Sequence, residues 1–391
     1  MANMFILISL NLLITSHSEG FIFSASGTRY AMYVWTTGFD INVPGCDENK
    51  FLAWDNHKNP ECFTHTWDTK AKRDWLWSTC NRIGRNVNVI FLSDFHHVLK
   101  DAYDAGSCSG SGILNVRTAM TEGHEKVNGL KIYALFAVSD LQVSEQRLVK
   151  YVVYYNDHCA HSQAEKIDGV AVNNEAYAEI KCAEDSSRLT YLTNLHNIKF
   201  EANKQVIGSL PVHYSISWHW GNCESNVARE NITWNGKTAS AVIHMIDIFD
   251  SIDVQVGYII YPQISDRMKI AGYDYAGSVG KPIFATFYTE KDSPCQITFF
   301  PQSCTKGSHT ETEMFRIFDQ FGIHGISNAK PCIHYFRGIY SSGANSNWPA
   351  YRDKKKRAAC SIAKPDQSIG IFDPRRIQKD FERIFFLYIR Q

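Results

Sequence analysis

The sequence has no net charge, no nucleotide fingerprint, no closely spaced cysteine pair and no hydrophobic run long enough to cross a bilayer. Its 40 Lys and Arg balance 40 Asp and Glu. That balance argues against nucleic acid as the main partner, because such proteins present a basic surface. No Gly-x-Gly-x-x-Gly or Gly-x-x-x-x-Gly-Lys-[Ser/Thr] follows an apolar run, which removes the commonest nucleotide sites. None of the 11 cysteines lies in Cys-x-x-Cys, so a zinc ribbon is not expected. His-Glu-x-x-His and Gly-x-Ser-x-Gly are also missing, and with them the usual signatures of zinc peptidases and serine hydrolases. There is no internal repeat and no long low-complexity linker.

What is present suits an exported globular protein. The chain has 391 residues, is 44% hydrophobic and 20% charged, and holds nine Trp and 19 Tyr. Most aromatics fill core, but aromatic clefts also suit the C–H faces of sugar rings. An apolar run, Phe5 to Ile14, precedes Thr15-Ser16-His17-Ser18. It is too short to span a membrane and sits where a secretory signal would, so residues 1–18 read as a signal peptide, with a buried first strand as the alternative. Export and many cysteines favour disulfides, and the odd count leaves one thiol free or paired between chains. Cys295 and Cys304 flank a short insertion that they could close. Asn231-Ile232-Thr233 is a glycosylation sequon.

Apolar runs alternate with helical patterns along the chain. The strand candidates are Tyr30–Thr36, Val87–Ser93, Lys131–Val138, Ile167–Val172, Val212–Trp218, Ile252–Ile260, Pro282–Tyr288 and Gly322–Ser327. Helical patterns cover Ala71–Ile83, His97–Ala105, Ser144–Tyr154, Ser186–Asn203, Thr238–Phe249 and Glu311–Phe321. Continuous apolar runs are what buried parallel strands require. Eight of them alternating with helices predict a single α/β (β/α)8 barrel of the TIM type with loop insertions, over residues 25–340. Residues 40–68 read as loop, and residues 341–391 as a loop-rich C-terminal extension packing on the barrel. The Gly/Ser run Ser107–Gly112 opens no obvious helix and reads as a loop. Asp353-Lys354-Lys355-Lys356-Arg357 reads as a solvated loop.

Functional groups of such a barrel gather at the C-terminal ends of the strands. There the sequence places Asp94, Asp140, Asn173-Asn174-Glu175, Trp218-His219-Trp220, Tyr258 and Glu290, a polar and aromatic ring suited to an elongated polar ligand. Alternation along the fourth strand sends Ala171, Asn173 and Glu175 to one side and Val170, Val172 and Asn174 to the other.

Asp168-Gly169-Val170-Ala171-Val172-Asn173-Asn174-Glu175 resembles the DGxDxDxE strand of family 18 glycoside hydrolases, the chitinases and their relatives. Asp168, Gly169 and Glu175 match in register, while Ala171 and Asn173 stand at the two middle Asp positions. Asn-x-Glu is closer to the family 85 endo-β-N-acetylglucosaminidases. The resemblance implies Glu175 as general acid and base and Asn173 as partner of the substrate 2-acetamido group. The acetamido oxygen itself would attack the anomeric carbon, without an enzyme nucleophile or cofactor. It also implies a Tyr near the sixth strand, for which Tyr258 is the candidate, and a Trp at the eighth, which Ile326–Ile333 does not contain. Asp94, Asp140, Asn174, Trp218, His219 and Trp220 are candidate sugar contacts. The implied partner is a glycan containing N-acetylglucosamine, met outside the cell. Two alternatives stay open. One is a two-carboxylate retaining glycosidase in which Asn174-Glu175 faces Glu290 as nucleophile. The other is a glycan-binding relative without turnover. Asp94 with His96 and His158 with His161 are weak metal pairs, and no metal is expected.

Overall fold

A computed structural model describes residues 29–35, 67–81, 86–138, 140–143, 145–180, 182–206, 208–221, 223, 230–289, 297–299 and 311–334. The signal-peptide and C-terminal segments, Glu290, the Cys295–Cys304 pair and the basic run at 353–357 lie outside them.

Eight parallel strands close a barrel: β1 (Arg29–Val34), β2 (Asn86–Leu92), β3 (Lys131–Val138), β4 (Gly169–Asn174), β5 (Val212–Ser217), β8 (Ser251–Gln255), β9 (Ile283–Phe287) and β10 (Ala329–Ile333). Helices between them pack outside, among them Phe95–Ala105, Gln146–Tyr154 and Asp185–Ala202. The interposed β6 (Asn231–Trp234) and β7 (Lys237–Ser240) form an antiparallel hairpin. The barrel strands are buried on both faces, so residues pointing outward pack against helices and residues pointing inward fill the interior. Val170, Val172, Ile216 and Ile252 belong to the larger outer cluster. Ala31, Tyr33, Val89, Phe91, Tyr133, Leu135, Ala171, Phe284 and Cys332 form the inner one.

Three expectations need correction. The eighth strand is Ala329–Ile333, not Gly322–Ser327; residues 321–325 form turns, with Gly325 at φ 76°. Pro331 disguises the true strand, since it lacks an N–H for the ladder, yet Cys332 and Ile333 pair with Ala31 and Met32 to close the barrel. The Ser107–Gly112 run does lead into a helix, Ser111–Lys126. Its pattern is obscured by Gly112 and Gly123, which sit against Val98 and against Trp77 with Ile132. Finally, the helix expected from Thr238 starts at Ala241, because Asn235 and Gly236, at φ 48° and 76°, turn the preceding residues into the hairpin. An Asn-Gly pair between alternating segments is the standard signal for that turn.

The entry to β4 shows why Asp168-Gly169 is required here. A Cβ on Gly169 would lie 2.3 Å from the Tyr133 ring and 2.8 Å from the Pro211 carbonyl oxygen. Asp168 Oδ2 accepts from the Ile132 amide and pairs with His124, while Oδ1 meets Lys131. Both residues fasten the N-terminal end of the barrel, opposite to the strand ends where Glu175 lies. Disulfides Cys108–Cys159 and Cys182–Cys223 tie the helical layer. Cys80 and Cys332 are buried thiols. Among the described residues no helix is long and apolar enough to cross a membrane.

Candidate functional site

Glu175 follows the last residue of β4 and is 6% exposed. Alternation places it with Ala171 and Asn173 on the inner face, as Ala171 in the inner cluster confirms. One oxygen, Oε1, accepts from Asn173 Nδ2 at 3.2 Å and from Gln255 Nε2 at 3.0 Å. The other, Oε2, is buried and has no hydrogen-bond partner among the described residues. Burial raises the Glu175 carboxyl to a pKa of about 7, against the downward pull of the Gln255 and Asn173 hydrogen bonds. A carboxylic acid so poised can hold a proton at neutral pH and release it to a leaving group, which is what a general acid needs.

Gln255, the last residue of β8, organises the site. Its amide nitrogen reaches Asn173 Oδ1 (2.9 Å), Glu175 Oε1 (3.0 Å) and Ser215 Oγ (3.1 Å), and its carbonyl oxygen accepts from Tyr288 Oη (3.2 Å). One layer deeper lies Asp253, completely buried. It accepts from Tyr33 Oη (2.5 Å), Ser215 Oγ (3.2 Å) and Thr286 Oγ1 (2.6 Å), and bonds His213 Nε2 (2.8 Å). Burial, then the Asp253 charge, pushes the Tyr33 phenol well above its ordinary pKa. Ser215 connects the layers, accepting from Gln255 and donating to Asp253. Sequence reading missed both Gln255 and Asp253. Their signal was the strict alternation Ser251-Ile252-Asp253-Val254-Gln255, which puts three polar groups on one face of a buried strand.

The other expected residues take different places. Asn174 faces the helical layer: its amide donates to the Asp140 carbonyl and to Glu145 Oε2, and its Oδ1 accepts from Tyr191. Its polar atoms are thus engaged by the helical layer rather than directed at Glu175. Trp220 is 3% exposed and stacked on Tyr191. Asp94 adopts φ 72° where the helix Phe95–Ala105 begins and accepts from Ser93; neither Asp94 nor Asp140 bonds to Glu175. Tyr258 is half-buried and lies over Arg267 rather than Glu175, and Gln255 makes the sixth-strand contact instead. Tyr177, His219, Trp218, Arg267 and Tyr258 form a chain of stacked groups with successive separations of 5.0, 4.0, 4.1 and 3.7 Å. Although β10 brings no Trp, Trp35 just beyond β1 donates from Nε1 to the His334 carbonyl at 3.1 Å and stacks on Tyr33. An indole thus stands beside the end of the eighth barrel strand, supplied by its neighbour. Among the described residues no group of three or more His, Cys, Asp or Glu is placed to hold a metal.

No protein-family model matches the chain, and no curated protein matches it in sequence. Solved structures are similar in fold. They include a GH18 chitinase from Pseudoalteromonas aurantia (13% identity, TM-score 0.41, 70% of this chain and 92% of that one). A chitinase from Bacteroides thetaiotaomicron gives 9%, 0.41, 80% and 91%. A tamarind chitinase-like lectin gives 10%, 0.37, 80% and 96%.

Proposed function

We propose that this chain is an exported glycoside hydrolase acting on N-acetylglucosamine-containing glycans by substrate-assisted, retaining hydrolysis. The observation that carries the reading is the buried Glu175 carboxyl with a pKa of about 7, one oxygen held by two amides and the other unbonded among the described residues. Glu175 protonates the glycosidic oxygen through Oε2, and the resulting carboxylate later takes a proton from the attacking water. Asn173 holds the acetamido group while its oxygen closes on the anomeric carbon. Asp253 gives its oxygens to four protein partners and is fully buried, so it acts as a support rather than as a nucleophile. The disulfides, and a sequon at Asn231 exposed on the β6–β7 hairpin, support export.

A second reading, glycan binding without turnover, has its own observation. Both polar atoms of Asn173 are spent on Glu175 and Gln255, and must change partners to receive an acetamido group. One experiment separates the two. Wild type and Glu175→Gln are incubated with chitooligosaccharides and an N-glycopeptide, and products are followed by mass spectrometry. Hydrolysis by wild type, reduced about a thousandfold in Glu175→Gln, is expected for a lost general acid. Binding without turnover in both proteins selects the second reading. Unchanged turnover in Glu175→Gln removes Glu175 from the mechanism.

A further inference from the structure

Arg267, on the helix Gln263–Ile270, is a cation without a counter-ion among the described residues. Its guanidinium lies 3.7 Å from the Tyr258 ring centroid and 4.1 Å from that of Trp218. Nη1 donates to the Val256 carbonyl at 2.5 Å. No carboxylate of the described residues pairs with it, although Arg73, Arg117, Arg188 and Arg316 each have one. Burial lowers its pKa to about 10, which leaves it charged at neutral pH. Arg267 is half-buried, and a guanidinium held between two rings with no protein anion beside it marks a place where an anion is received. Aromatic rings hold the plane of the group and keep water from its faces. Val256 takes one N–H and the Tyr258 side chain also hydrogen-bonds the group, which leaves the rest of its five N–H groups for a carboxylate.

Its position ties it to the site. Val256 directly follows Gln255, whose amide holds Glu175, and Trp218 directly follows β5. The phenols of Tyr177 and Tyr288 lie within its electrostatic reach, and Tyr288 bonds Gln255. A glycan engaged at Glu175 therefore meets a cation carried by the loop and helix that follow β8, the strand whose last residue holds Glu175.

We infer that Arg267 is a specificity residue that receives a sugar carboxylate, so that the preferred glycan alternates or combines N-acetylglucosamine with an acidic sugar. This rests on the glycan reading above and deepens it. Two sources share the chemistry: a uronic acid in the chain, and a lactyl ether on the N-acetylated sugar itself. Binding to the full-length chain is measured by calorimetry with a hyaluronan octasaccharide, a muramyl-containing tetrasaccharide and neutral chitotetraose. Wild type is expected to prefer at least one acidic oligomer by about tenfold, the weight of a charge-assisted pair. The acidic oligomer that is preferred names the source. In Arg267→Gln the acidic-to-neutral ratio should fall to about one, and in Arg267→Lys, which keeps the charge but not the fork, to an intermediate value. Should the Gln variant fail to fold, the Lys variant and the loss of the wild-type preference on adding salt read the same contact. Equal binding of acidic and neutral oligomers by wild type, or a preference that survives in both variants, overturns the role of Arg267 while leaving the glycan reading standing. Failure of wild type to bind any of the three overturns both.

Discussion

The interior of the barrel has two unlike walls. From β1 to the middle of β4 it is apolar: Ala31, Tyr33, Val89, Phe91, Tyr133, Leu135 and Ala171. On β5, β8 and the upper part of β9 it is polar and equally buried, with His213, Ser215, Ser217, Ser251, Asp253, Gln255 and Thr286, while Phe284 and Cys332 carry the apolar side across the foot of β9 and into β10. The first wall is stabilised by burial and dispersion. The second loses hydration and regains it only through hydrogen bonds, so every member must find a partner. Two residues join the walls. Tyr33 lies in the apolar cluster but sends its hydroxyl across to Asp253, and the His213 ring stacks on Phe91 at 4.2 Å. The polar wall is the costlier solution, and Glu175 and Asn173 stand at its upper edge. A fold that keeps such a wall in place of another apolar one keeps it for the site it supports.

Breaking the polar wall at its centre is the largest test. Asp253→Ala leaves Tyr33, His213, Ser215 and Thr286 without their shared acceptor, and we expect a loss of about 4 kcal/mol in unfolding free energy, measured by urea denaturation. Asp253→Asn, which keeps the shape and one acceptor, should cost about half as much. A loss below about 1 kcal/mol in both would mean that the wall does not depend on Asp253.

The next test concerns the proton on Glu175. Its carboxyl is raised from 4.5 to about 7. Between those values the folded protein retains a proton that the unfolded chain releases. Stability is therefore fully present below about pH 4.5, falls as pH rises through that window, and levels off above about pH 7. The total drop is on the order of 3 kcal/mol. In Glu175→Gln this component is absent. The difference between the two stability curves across pH isolates it, and a flat difference would place Glu175 in a more solvated setting than the polar wall provides.

The two walls also explain what was legible in the sequence. The apolar strands announce themselves as continuous runs such as Val89-Ile90-Phe91-Leu92, and the closed barrel follows from their number and spacing. The Glu175 strand was visible because its motif is local. Gln255 and Asp253 were not, because their significance lies in contacts across the barrel to residues 80, 40 and 220 positions away. Tyr258 is the Tyr that the sequence offers near the sixth strand. The strand ends at Gln255, however, and Gly257 at φ 59° turns the chain, so Tyr258 goes to Arg267 instead. Trp35 is not legible as a partner of the eighth strand because it and His334 lie 299 positions apart in sequence and meet only where β1 pairs with β10 to close the ring.

The apolar wall can be probed at its foot. Gly169→Ala places a methyl against the Tyr133 ring and the Pro211 carbonyl, neither of which has free space. Overpacking of this kind costs about 2 kcal/mol. Because the strain arises at the N-terminal end of β4, the pH-dependent component assigned to Glu175 should survive unchanged in the variant. Loss of that component together with stability would show that the entry of β4 and its functional end are mechanically coupled.

The smallest effect belongs to Tyr288→Phe. It deletes one neutral hydrogen bond, from Tyr288 Oη to Gln255 Oε1 at 3.2 Å, and keeps the ring that packs against His334 at 4.8 Å. Such a bond is worth about 1 kcal/mol. If Tyr288 only steadies Gln255, stability falls by that amount, and turnover of a chitooligosaccharide drops about fivefold at unchanged KM, because the Gln255 amide still reaches Glu175. If Tyr288 instead meets the sugar directly, turnover falls about a hundredfold while stability scarcely moves. The ratio of the two losses, rather than either alone, decides whether the polar wall ends at Gln255 or continues through Tyr288 into the glycan.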